Sequence, residues 1–119
     1  MGTDVAWLLE LAVDSGEVET VRPLMTEMVD SARAEAGTLS YAWYISDDAS
    51  AVALYERFVD DDAALAHLTT VGETFAQRFL AAMTPTRCTV FGAPSDAVRQ
   101  ALAIFNPTYL AVFGGFPAR

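Results

Sequence analysis

The stretch from 38 to 59 constrains the fold more than any other. "TLSYAWYIS" (38–46) and "AVALYERFV" (51–59) are both rich in aromatic and β-branched residues, which suit a pleated strand. Only Asp47-Asp48-Ala49-Ser50 separates them, a short turn, so the two runs form a hairpin. Side chains alternate faces along a strand. Leu39, Tyr41, Trp43 and Ile45 therefore share one face of the first run; Val52, Leu54, Glu56 and Phe58 share one face of the second. Pairing these bulky faces sets Leu39 near Phe58, Tyr41 near Glu56 and Trp43 near Leu54. Glu56 becomes a carboxylate amid aromatic groups on a core face, where it needs a partner. Tyr41 is one candidate. The opposite face, with Ala42, Tyr44, Ala53 and Tyr55, is also largely apolar.

The remaining elements follow from periodicity and punctuation. "VAWLLELAV" (5–13), closed by Asp14-Ser15-Gly16, reads as a buried strand. Residues 17–37 have helical spacing, with Val21, Leu24, Met25, Met28, Val29 and Ala32 as one stripe and Gly37 as the stop. Pro23 sits early enough to be tolerated. Asp60-Asp61-Asp62 opens a second helix, where acids cap free N–H groups and meet the positive end of the dipole. That helix is expected to bend at Gly72 and to run to about Met83, where "TPTRC" breaks it. "CTVFGAP" (88–94) is a strand candidate. A short helix capped by Ser95 follows, and 108–116 is a last strand with a glycine-rich tail. The first six elements, strand-helix-strand-strand-helix-strand, are the split βαβ or ferredoxin-like order. One domain is expected, with a core at about 5–83 and a C-terminal extension at about 88–119.

Hydrophobic residues make up 53% of the 119 and charged residues 19%. This is apolar for a small domain and implies that a second copy of the chain covers one surface. The net charge of −9 disfavours nucleic acid and anionic membrane as partners. No apolar run reaches membrane-spanning length, and "MGTDVAWLLELAV" lacks the basic start of a signal peptide. Cys88 is the only cysteine, so no intrachain disulfide can form, which fits a reducing compartment. A cytoplasmic protein is the expectation.

His67 is the only histidine. The stripe of its helix is Ala64, Leu65, Leu68, Val71, Phe75 and Phe79, and His67 falls at its edge. If the imidazole turns inward, Glu56 and Tyr41 are its partners. A carboxylate favours the charged ring and burial opposes it.

These residues resemble the antibiotic biosynthesis monooxygenase family. The likeness lies in "EAGTLSYAWY" (Gly37, Leu39, Tyr41), in "YERF" (Tyr55, Glu56, Phe58) and in "AALAHL" (Ala64, Leu65, His67). It covers roughly 5–83. The resemblance implies a dimeric α+β barrel of two ferredoxin-like sheets. It also implies kinship with cofactor-free oxygenases of anthrone-like or quinol-like aromatics, with haem-degrading enzymes and with isomerase-like proteins. Many relatives carry a second histidine before an aromatic; the matching place here is Thr74-Phe75.

Two readings result. In one, the chain is a cofactor-independent monooxygenase: Tyr41, Trp43 and Phe79 hold a phenolic or enolic substrate, and His67, oriented by Glu56, removes a proton. No metal-ligand cluster or phosphate-cradling glycine motif is present in the sequence. In the other, the chain is a non-catalytic dimeric small-molecule-binding or structural protein. Glu56 is then a satisfied buried group, and the aromatics are core. Haem degradation ranks below both, since one helix-edge histidine is thin support for an axial ligand. Arg57 reads as a salt-bridge partner, Asn106 as a helix stop and Cys88 as a small buried residue. A cavity beside Glu56 separates the two main readings.

Overall fold

The computed structural model describes residues 3–116. The chain forms β1 (Val5–Val13), α1 (Val18–Arg33), β2 (Thr38–Ile45), β3 (Ala51–Phe58), α2 (Asp61–Thr74), α3 (Ala76–Ala82), β4 (Met83–Phe91), α4 (Asp96–Leu102) and β5 (Thr108–Leu110). A single 3-10 turn, Ala103–Phe105, follows α4. The sheet order is β2-β3-β1-β4-β5. All pairings are antiparallel except β4 with β5. The result is an α+β ferredoxin-like fold with an added edge strand.

Alternation decides which side chains go inward. Trp7, Leu9 and Leu11 on β1 meet Val52, Leu54 and Phe58 on β3 in one core, together with Val21, Leu24 and Met28 from α1. Ala64 of α2, Phe79 of α3, and Val98 and Leu102 of α4 close over the same sheet face. The opposite face carries Leu8, Glu10, Tyr55 and Arg57, all half-buried. The hairpin pairs Tyr41 with Glu56 and Trp43 with Leu54, as the alternation predicts. Its turn is knitted by Asp48, which accepts from the Ser46 hydroxyl and from the Ser50 N–H and hydroxyl. The Ser50 contacts lead in drawing the Asp48 carboxyl down to about 2.

Several expectations change. A register shift between Thr38 and Ser40 sets Thr38, not Leu39, opposite Phe58, and Leu39 turns outward. α1 stops at Arg33, before Gly37. Gly37 serves a close approach instead: a Cβ there would collide with Ala63 on α2. α2 passes straight through Gly72 and breaks at Phe75. "TPTRC" lies inside β4, not at a helix break. Pro85 fits because β5 pairs β4 only over Thr89–Phe91, so the outer edge near Pro85 needs no N–H. The last strand is short, and Ala111–Phe116 is irregular and exposed. Arg57 pairs with Asp4 at 2.7 Å. Asn106 ends the 3-10 turn in the left-handed region, at φ 49°. Cys88 is buried, which together with the nearby Glu56 charge pushes its thiol up to about 11. No helix among the described residues is long and apolar enough to cross a membrane.

Candidate active site

Three elements bring ionisable groups together. β3 aims Glu56 inward between Leu54 and Phe58. Asp60 caps α2 by accepting from the Ala63 N–H, which fixes where the helix starts and so which side faces the sheet. His67 then lies one turn beyond Ala64 on the buried side, only 3% exposed, rather than at an edge. The connection from α1 to β2 supplies Glu35, brought close by the tight contact at Gly37.

His67 lies between the two carboxylates. Its Nε2 is 2.9 Å from Glu56 Oε1 and its Nδ1 is 2.8 Å from Glu35 Oε1. The Thr38 hydroxyl donates to the same Glu35 oxygen at 2.7 Å. A neutral imidazole has one N–H and could donate to only one of these carboxylates; the imidazolium donates to both. Burial opposes the charged ring, but the hydrogen bonds and charges of Glu56 and then Glu35 outweigh it. The His67 pKa is therefore raised above its usual 6.5. The rings of Phe58 and Tyr41 lie 4.9 and 5.4 Å from the imidazole, close enough for cation–π attraction.

Tyr41 does not bond Glu56. Its hydroxyl and the Trp43 indole N–H are buried without a hydrogen-bond partner. The indole lies close enough to ease the Tyr41 pKa slightly downward without reaching hydrogen-bond geometry. Burial and the Glu56 charge prevail and drive that pKa well up. Tyr41 therefore stays a neutral phenol.

A cavity of about 190 Å³ opens beside these groups. Glu56, His67 and Tyr41 line it, with Trp7, Leu54 and Phe79 among its apolar walls. For scale, an empty cavity of about 150 Å³ holds a benzene ring. Of the five residues expected at a site, Glu56, His67, Tyr41 and Phe79 come together here. Trp43 does not line this cavity. It meets Phe79 edge-on at 6.0 Å and lines a second space of about 80 Å³ near Arg22. Sequence reasoning passed over Glu35, although it opens the "EAGTLSY" stretch on which the resemblance rests. It also passed over Gly72, Ala101, Ile104 and Phe105 as cavity-lining residues.

The profile of the antibiotic biosynthesis monooxygenase family matches residues 5–84. The chain belongs to this family. No functionally curated protein matches it significantly. Among solved structures, MupZ from Pseudomonas fluorescens is similar over 99% of this chain and 91% of its own, with a TM-score of 0.86 and 18% identity. SnoaB from Streptomyces nogalater, described as a cofactor-independent oxygenase, is similar over 79% of this chain and 96% of its own, with a TM-score of 0.66 and 16% identity. Rv0793 from Mycobacterium tuberculosis is 28% identical over 78% of this chain and 96% of its own, with a TM-score of 0.58. The likeness to MupZ takes in α4 and β5, which lie beyond the family match. Thr74-Phe75 is the pair that the resemblance sets against a second histidine and its aromatic. Phe75 is core, and Thr74 ends α2.

Proposed function

We propose that this protein is a cofactor-independent monooxygenase of small phenolic or enolic aromatic molecules of quinol-like or anthrone-like chemistry. The observation that carries this is the Glu35–His67–Glu56 array at the buried end of a mostly apolar cavity. An imidazolium with both N–H groups engaged has no lone pair for a substrate proton. Glu56 is therefore the base, and His67 is the fixed positive charge beside it. The substrate loses a proton to Glu56, and the electron-rich anion that results passes an electron to dioxygen. A carbon–oxygen bond forms, the resulting peroxide anion takes the proton back from Glu56, and the hydroperoxide so formed loses water. The balance is CH2 plus O2 giving C=O plus H2O, so the substrate supplies every electron. Tyr41 and Phe79 hold the aromatic ring. Trp43 supports Phe79 from behind, a positioning role rather than the direct contact expected from sequence.

The working unit is a homodimer. The sheet face with Leu8 and Tyr55 supports this reading, as do Phe113 and Phe116, which are large apolar side chains left fully exposed.

Oxygen uptake against a panel of quinols and anthrones tests the reading. The native protein is expected to consume oxygen with at least one of them. Glu56→Gln should lose about 100-fold or more, the usual contribution of a positioned base. Equal uptake by both proteins would remove Glu56 from the chemistry. Binding without uptake by either would favour the non-catalytic small-molecule-binding reading.

A further inference from the structure

Gly72 stands inside α2, where glycine destabilises a helix relative to alanine. No backbone reason explains it. Its φ is not positive, and the helix continues past it. No packing reason explains it either, since an added Cβ would meet nothing within 4 Å. The residue does line the cavity. Ala76 and Leu80 from α3 line it too, with Ala101, Ile104 and Phe105 from the segment after β4. Leu80 is 40% and Ile104 70% exposed, so these residues mark the mouth, whereas Glu56 and His67 mark the closed end. None of the six has a polar side chain.

The C-terminal side of this mouth is firmly seated. Val98 and Leu102 are buried in the main core. The Ser95 N–H donates to Asp61 at the start of α2, at 2.9 Å. The Arg99 guanidinium lies 4.0 Å over the ring of Tyr109. These contacts tie this wall to the core, to α2 and to β5.

We infer that Gly72 and the segment 101–105 frame a passage for the apolar end of the substrate. The substrate is then an amphipathic molecule with its acidic polar end at Glu56 and an uncharged alkyl tail leading out past Ile104. The inference rests on the proposed function only in choosing a phenol as the polar end.

The test uses phenol and its 4-ethyl, 4-butyl and 4-hexyl derivatives, with affinity read by calorimetry and by the fluorescence of Trp7, in the cavity wall, in a Trp43→Phe background. Affinity should rise about two- to fourfold per methylene. Gly72→Leu should abolish the rise along the series; Ile104→Asp, at an exposed position, should weaken the hexyl compound about tenfold or more. Circular dichroism and melting check both folds. A flat series in the native protein, an unchanged rise in Gly72→Leu, or no binding by any phenol overturns the inference. Oxygen uptake on the quinol and anthrone panel distinguishes the two claims. A chain-length rise in binding with no uptake on any member of that panel leaves the passage standing and removes the monooxygenase; uptake without the rise does the reverse.

Discussion

The two ends of the cavity are built on opposite physical terms. At the closed end, Glu35, His67 and Glu56 form a polar array whose members were drawn from a connection, a helix and a strand. Each depends on the others, because a buried charge left alone is costly. At the mouth, Gly72, Leu80 and Ile104 are apolar and in part exposed. The closed end lies within the region shared with the family, and half of the mouth lies beyond it. In the proposed reading, chemistry falls where one change disturbs several partners, and contact with the apolar end of the substrate falls at the exposed mouth.

That contrast can be broken most sharply at the closed end. His67→Ala would leave Glu56 buried without its partner and should destabilise the fold by about 3–5 kcal/mol, measured by urea unfolding. A loss below about 1 kcal/mol would mean that the array is not coupled. Glu35→Gln is the next test. It removes one of the two charges holding the imidazolium, so the His67 pKa should fall while Glu56 remains in place, as an NMR titration would report.

The pH dependence sharpens the same point. The His67 pKa is raised on folding, so its contribution is complete below about 6.5, the unfolded value. It is lost as pH rises through the folded pKa. Melting of the native protein should therefore decline relative to His67→Gln as the pH is taken upward from about 6.5. Parallel curves would show that His67 is not charged in the fold. The smallest effect belongs to the mouth. Gly72→Ala should stabilise the fold by about 0.5–1 kcal/mol in thermal melts, because the site is helical and open. Destabilisation there would mean that Gly72 is required by packing.

How much of this could be read in the sequence follows the same division. The Tyr41–Glu56 and Trp43–Leu54 pairs were legible because a strand repeats every two residues. Leu39 was not, because one residue of bulge reverses its face and leaves no mark in the alternation. His67 looked peripheral because the apolar stripe of α2 is broad in alanine and leucine, and the cap at Asp60 decides its phase. Glu35 lies in a connection without periodicity, so only spatial closeness assigns it a role. Pro85 read as a breaker because the sequence does not say which strand edge stays unpaired. Gly72 read as a bend because the empty space above it is a tertiary property.

In the proposed reading His67 is a charged imidazolium clasped by two carboxylates, which leaves Glu56 as the base. Because His67 is the only histidine, nitrogen-15 labelling of histidine gives a one-residue spectrum. At pH 7 an unperturbed histidine is about one-quarter charged. The account predicts that both ring nitrogens of His67 are predominantly protonated at that pH. One unprotonated ring nitrogen in the major form would contradict it and return the role of base to His67.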